Sequence, residues 1–532
     1  MFKKILLFVL GFSMILSLSS CKKNEEKGPS LDLKEYEVVD DNNRNFYQIF
    51  VHSFYDTNSD KIGDLKGVIK KLDYIKDLGF TGIWLLPINK SNSSHKYDVI
   101  DYYQIDPSYG TLDDLKELIN ECHKRDIKLI LDLVLNHSSN LNKLFIDSSR
   151  AYSKYISKKP LTEEELKYKD FYSFFEKRED VPNGTRVNKI GDFYYECNFT
   201  DNMPEFNCDN PLVREEFKKI MKFYLDLGVD GFRLDAVKYY YINRTSKNVE
   251  FLKFINDYCK SINPKSYIVG ECWDNADIIK QYYQSGIDSF FNFPLSVSEP
   301  SSNLINSINR NGELLNRYNN AMTNNYAFNE FGIPAPFLDN HDMPRYSRSD
   351  SMFNKFMYGL LQMLNGASFT YYGSEIGMTG NNKTSHDDSV RVPIKWGEEN
   401  NYGDTKILSN ATDFDYLFGN VKEQEKDINS ILNYYKKVLN IRNTNIEIAR
   451  GVPSKIDLIK EENRYILILS KEYLGKRIYL VFNFSDKFAA TLDIKNYDFN
   501  NLIDNAVVDF NEKVTLKDNV LNLPAYSIAI LK

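Results

Sequence analysis

Apolar residues along this chain come in two rhythms. Up to about residue 446, short apolar runs alternate with segments of helical period. Residues 45–51, 82–87 and 128–137 read as strands; the second is apolar almost without interruption, as in a parallel sheet covered on both faces. Between them, 65–78 and 111–125 carry apolar residues at helical spacing. The alternation then breaks over residues 138–209. A structureless loop of that length is implausible in a compact domain, so a small inserted domain is predicted. Asn210 and Pro211, as N-cap and first helical residue, restart the pattern. Further strands are predicted over 230–238, 268–271, 289–294, 337–342 and 369–373, with helical patterns over 248–262 and 300–331. From about residue 447 the period becomes two: 465–469, 477–482 and 527–531 are strands with no helix-length pattern between them. The predicted fold class is α/β: a TIM (β/α)8 barrel over 44–446, an inserted small domain at 138–209 after strand three, and a C-terminal antiparallel β-sandwich over 447–532.

Polar residues interrupt this pattern at strand ends. In the stretch GFRLDAVK (231–238), Phe232, Leu234 and Ala236 share one face, while Arg233 and Asp235 point to the other. Burying an arginine and an aspartate together is expensive unless they pair or work. A structural ion pair is one reading and a functional site the other. Two more apolar runs end in acids: IVGECW with Glu271, and FLDNHD with His341 and Asp342. Three acids at the ends of three barrel strands share one face of the barrel. Two carboxyls facing across a sugar are the equipment for glycoside hydrolysis.

These stretches, with LDLVLNH at 131–137, resemble four signature segments of the α-amylase family, glycoside hydrolase family 13, and occur in the family's order. The likeness is to bacterial α-amylases close to the oligo-1,6-glucosidase and neopullulanase branch. It implies Asp235 as nucleophile, Glu271 as acid/base and Asp342 as the third acid, with Arg233 supporting the charged nucleophile. It also implies that Tyr97, His95, Asp98, His137 and His341 hold the cleaved glucose and that Lys238 meets a sugar beyond the cut. Asp132 would support the site, and Asn136 would hold metal or the neighbouring loop. Asp387 and Arg391, four apart on a loop, read as a surface ion pair or, by the resemblance, as a hydroxyl clamp. NMPEFN at 202–207 resembles a fifth segment, with Glu205-Phe206 where the family usually has Asp-Leu. Ala236, where the oligo-1,6-glucosidase branch has valine, suits α-1,4 bonds. The expected activity is that of a retaining, endo-acting α-amylase on starch-like α-glucans and maltooligosaccharides. The alternatives are an exo-acting α-glucosidase or oligo-1,6-glucosidase, and a transglycosylase. A catalytically dead glycan-binding lipoprotein is disfavoured, because all three acids are present.

Asp56, Asn58, Asp60, Ile62 through its carbonyl and Asp64 place oxygen at every second position, a spacing that suits a hard cation. The plain alternative is an acidic turn with Asp64 capping the next helix. The resemblance favours structural Ca2+, because that branch carries a calcium loop after its first strand. Lys3 and Lys4 precede an apolar run from Ile5 to Leu16, too short to span a bilayer comfortably, which reads as a secretory signal. It ends in LSSC, which resembles the bacterial lipobox. Residues 1–21 are therefore read as a lipoprotein leader with Cys21 lipidated, and 22–43 as a flexible tether. That implies a lipid-anchored protein of the bacterial cell envelope, at the outer membrane, cell surface or periplasm. The five remaining cysteines exclude a complete disulfide framework, although Cys197 and Cys208 could pair. A formal net charge of -7 argues against nucleic acid, and a monomer is expected.

Overall fold

The computed structural model describes residues 31–299, 302, 304–308, 315–461 and 464–532. The expected leader, Cys21 and the first part of the tether lie outside the described residues. Among the described residues no helix is long and apolar enough to cross a membrane.

Eight parallel strands form the barrel: β1 (Asn45–Ile49), β2 (Gly82–Leu85), β3 (Lys128–Leu133), β4 (Gly231–Leu234), β5 (Tyr267–Gly270), β6 (Ser289–Phe291), β7 (Ile333–Ala335) and β8 (Ser368–Tyr371). They pair in the order β7-β6-β5-β4-β3-β2-β1-β8, and a parallel bridge from Phe337 to Phe369 closes the ring. Alternate residues face inward. Phe46, Trp84, Ile130, Tyr267, Val269, Phe291, Phe337 and Phe369 fill the interior as one apolar cluster. Phe46 stacks between Tyr267 and Phe369, with ring centroids 5.1 and 4.8 Å away. The next inward positions, one step nearer the C-terminal mouth, are polar: Gln48, Asp132 and Arg233. Asp132 and Arg233 stand side by side in the β3–β4 register. Strand period thus turns an apolar plug into a polar floor within two residues.

Strand seven differs from expectation. The pattern predicts a strand over 337–342, whereas β7 ends at Ala335 and Asp342 sits in the turns that follow. Pro334 and Pro336 have no N–H to give a ladder, which confines regular pairing to a short segment. Asp339 then turns the chain by accepting the Tyr346 N–H at 2.9 Å.

Between β3 and the helix Pro211–Asp226, the chain forms helices Lys143–Ile156 and Glu163–Tyr168 and a three-stranded sheet with Phe193–Glu196 in the middle. Its core is aromatic, with Phe145 against both Tyr172 and Tyr195. At the C-terminal end, a five-stranded antiparallel sheet faces a three-stranded one. In the strand Arg464–Tyr473, Ile466 and Ile468 enter the sandwich core, while Leu467 and Leu469 join the core of the barrel. Both faces of this strand are buried, which is why its sequence is apolar without alternation.

The described part of the expected tether is docked. Lys34 exchanges backbone hydrogen bonds with the Asn440 side chain at 2.9 and 2.7 Å, and its ammonium lies 3.2 Å from Asp504. Asp41 pairs with Arg450 at 2.7 Å. The flexible-tether reading therefore fails for these residues: their polar backbone finds specific partners on the barrel and sandwich. Cys122, Cys197, Cys208, Cys259 and Cys272 are all free and buried, so Cys197 and Cys208 do not pair.

One close approach fixes the register that carries Arg233. A Cβ at Gly231 would lie 1.9 Å from the Tyr267 carbonyl oxygen of β5. Gly231→Ala is expected to push β4 from β5 and to cost at least about 1–3 kcal/mol, the range for overpacking. A thermal or urea melt checks this; an unchanged midpoint would show that the strands have room to separate.

Candidate active site

The polar floor is organised on the Arg233 guanidinium, which is 1% exposed. Its Nη1 lies 2.8 Å from Asp132 Oδ1 and 2.6 Å from Asp235 Oδ1. Its Nη2 lies 2.9 Å from Glu271 Oε2. Trp84 lies beneath, with its ring centroid 5.3 Å from the guanidinium carbon. After Asp235 the backbone turns sharply, and Ala236 adopts a left-handed conformation with φ 46. That turn aims the Ala236 N–H at Glu271 Oε2, 2.8 Å away. A non-glycine residue held in this region is strained, a cost that concentrates at functional positions.

The acids differ in electrostatics. Burial is the main influence on Glu271 and pushes its carboxyl up to about 8; Arg233 and the Ala236 N–H oppose this, while Asp235 and Asp342 add to it. Asp342 is only partly buried, and His341, Arg391 and Arg233 outweigh the desolvation penalty and hold its carboxyl well below the usual range. Asp342 Oδ1 accepts from Arg391 Nη2 at 2.8 Å, and Oδ2 lies 2.9 Å from His341 Nε2.

His341 and Tyr97 form the opposite wall. Their rings stack with centroids 5.7 Å apart, and Tyr97 Oη is 2.6 Å from His341 Nε2 and 3.0 Å from Asp132 Oδ2. The Gln48 amide nitrogen, 2.8 Å from His341 Nδ1, leaves Nε2–H facing Tyr97 and Asp342 when it donates. His137 is buried with Nε2 unpartnered, at the edge of the cleft. Burial lowers the pKa of His137, His341 and His95, the last to about 4, which favours neutral imidazoles.

A cavity of about 520 Å3 opens above these groups. Of the side chains expected from sequence, Tyr97, His137, Asp235, Lys238, Glu271, Asp342, Asp387 and Arg391 line it, as does His95. Arg233 and His341 lie just below as supports. Asp98 is turned away into its own loop, accepting from the hydroxyls of Ser91 and Ser93. Arg391 grips Asp342 more closely than Asp387, which it meets at 3.4 Å. Three residues of the insertion also line the cleft: Met203, which lies in the NMPEFN segment singled out in sequence, and Phe199 and Thr200, which carried no signal there. Gln48 could have been found as the one polar inward residue of β1.

In the 56–64 loop, Asp56 accepts the N–H groups of Asn58, Ser59 and Lys61, and Asp60 accepts that of Ile62. Asp64 caps the following helix through Gly67 N–H at 2.7 Å. Among the described residues no three His, Cys, Asp or Glu side chains form a metal-sized cluster. The donor set, carboxylates with an amide and a carbonyl, has the hard-oxygen chemistry that suits calcium.

Residues 48–451 match the family model described as alpha amylase, catalytic domain. Alpha-amylase 3 of Dictyoglomus thermophilum is 37% identical over 503 residues, covering 92% of each chain. An oligo-1,6-glucosidase of Bacillus cereus is 28% identical, covering 88% of this chain and 96% of its own. Among solved structures, Eubacterium rectale Amy13B superposes with a TM-score of 0.85 at 36% identity, covering 94% of this chain and 97% of its own. With its barrel, its acid-lined cleft and a catalytic-domain match over most of its length, the chain belongs to the α-amylase family, glycoside hydrolase family 13, and is a glycoside hydrolase.

Proposed function

We propose that the protein is a retaining, endo-acting α-amylase that hydrolyses α-1,4 bonds in starch-like glucans and maltooligosaccharides. In this reading Asp235 attacks the anomeric carbon, forming a covalent glycosyl-enzyme, and Glu271 gives its proton to the departing oxygen. Glu271 then takes a proton from the incoming water as that water releases the sugar. Asp342, held ionised by Arg391 and His341, stabilises the oxocarbenium-like transition state.

The observation that carries the reading is the shared guanidinium. Asp235 and Glu271 meet different nitrogens of Arg233, at 2.6 and 2.9 Å, so two carboxyls with different tasks are held close together. Close spacing, roughly 5 Å, suits a retaining double displacement; an inverting pair stands farther apart to admit water. Burial that favours a protonated Glu271 beside charged partners divides acid from nucleophile. The open, aromatic-rimmed cleft and the small Ala236 favour α-1,4 chains.

Asp235→Asn and Glu271→Gln should each lower kcat by orders of magnitude in folded protein, and NMR of fresh product should show the α-anomer first. The wild-type kcat/KM should hold as pH rises to neutrality, then fall on a limb near 8 as Glu271 loses its proton. Near-normal turnover by either variant, or β-anomer first, would remove the mechanism.

Linkage preference is tested at Ala236. Methyl groups at a sugar-facing position are worth about 1–3 kcal/mol of discrimination. Wild type should prefer maltoheptaose to isomaltose, and Ala236→Val should shift the kcat/KM ratio toward isomaltose. A branched residue is strained at this left-handed position, so the ratio, rather than absolute activity, is the readout. Faster isomaltose hydrolysis by wild type would point to the oligo-1,6-glucosidase alternative.

Structural calcium at Asp56, Asn58, Asp60, Ile62 and Asp64 belongs to the same proposal. Chelation should lower the melting temperature, because a ligand bound only to the native state stabilises it. Asp60→Ala should abolish that dependence. Identical melts with and without chelator would leave Asp64 as a helix cap alone.

A further inference from the structure

We propose that Lys96 is a positioning residue for the cleft: clamped to Asp106 behind its loop, it sets Tyr97 and His95 against the reacting sugar without touching that sugar itself. This rests on the glucan-hydrolase reading above. Residues 91–100 connect the two strands of a hairpin, Asn89–Lys90 and Asp101–Ile105. His95 and Tyr97 line the cleft, whereas Lys96 between them does not. Lys96 is 6% exposed, and its ammonium lies 2.8 Å from Asp106 Oδ2 and 5.2 Å from the centroid of the Tyr109 ring. Tyr109 is fixed in turn, its carbonyl accepting the Leu65 N–H at 2.9 Å.

The backbone shows that this lysine is held for its side chain. Its φ of 65 lies in the left-handed region, where glycine sits without strain and lysine does not. Burying the ammonium adds a desolvation cost, which an ion pair repays only with good geometry. Asp106 has other donors: the Ser91 N–H at 3.2 Å, and the N–H and hydroxyl of Ser108 at 3.0 and 2.6 Å. Neither the turn nor the carboxylate therefore requires Lys96. What the pair supplies is a fixed strut from the loop to the end of the second hairpin strand.

The strut acts through Tyr97. His341 and Asp132 hold the Tyr97 ring and hydroxyl from the cleft side. Lys96 holds the same loop from behind. Its N–H donates to Ser93 Oγ at 3.1 Å, and the next N–H, that of Tyr97, donates to His95 Nδ1 at 3.1 Å. A shift of Lys96 therefore carries both cleft residues with it. Misplacing a reacting group by about 1 Å can cost about 100-fold in rate, so a loop held on both faces matters to the chemical step.

The test compares Lys96→Met/Asp106→Asn, which removes both charges and leaves neither unpaired, with Lys96→Gly, which relaxes the turn. At temperatures where they stay folded, both should lower kcat by about 10- to 100-fold and keep KM within about threefold. The loss should be equal for maltoheptaose and for a nitrophenyl maltotrioside, whose leaving group needs little help from an acid. A crystal structure of either variant should show the Tyr97 ring displaced from His341. Wild-type kcat in Lys96→Gly, a lower melting temperature with kcat unchanged, a loss confined to maltoheptaose, or Tyr97 still stacked on His341 would overturn the positioning role and leave the hydrolase reading intact. Failure of the wild type to cleave either substrate would overturn both.

Discussion

One buried guanidinium governs this molecule's chemistry. Arg233 touches three carboxyl side chains in a pit floored by aromatic rings. Three carboxylates cannot all ionise cheaply around one cation in such a place. The balance falls on Glu271 and Asp132, whose carboxyls burial pushes up to about 8 and about 7 despite the shared Arg233. Asp342 stands apart with its own arginine and histidine, and so keeps its charge. The uneven electrostatics of these acids therefore follow from how few cations are shared among how many carboxyls.

The barrel makes that economy possible. Period two sends Phe46, then Gln48, inward along β1, and Ile130, then Asp132, along β3. The lower layer is apolar and tightly stacked; the layer above it is polar and hydrogen-bonded. Because Trp84 and Phe291 lie packed under the charges, water cannot approach them from below. The insertion adds a partial roof, with Phe199 packed on His137 at 5.0 Å.

Much of this was legible before any coordinates. Asp235 and Glu271 could be read because each ends an apolar strand, where the alternating pattern makes an acid conspicuous. Arg233 was legible for the same reason, and its partner Asp132 stands in a neighbouring strand of similar pattern. Asp342 was found although its strand was misplaced, since two prolines shortened β7 without altering the motif. Residues that meet the site only through tertiary approach left no such trace: Phe199 and Thr200 sit in an insertion whose packing angle no local period encodes. The spacing of Asp387 and Arg391 suggested a mutual pair, yet Arg391 prefers Asp342, which is far in sequence and near in space. Lys34 and Asp41 looked like linker because polar composition does not reveal that a polar backbone has found polar partners.

The strand Arg464–Tyr473 carries a consequence for how the molecule comes apart. Its odd and even side chains belong to two different cores, so it is a party wall. Independent domains are joined by linkers that few contacts cross, and each can melt alone. Here, opening the sandwich strips Leu467 and Leu469 from the barrel, and opening the barrel leaves the same strand without its second face. The barrel and the sandwich are thereby bound into a single cooperative transition, and the barrel draws on the sandwich for its own resistance to unfolding.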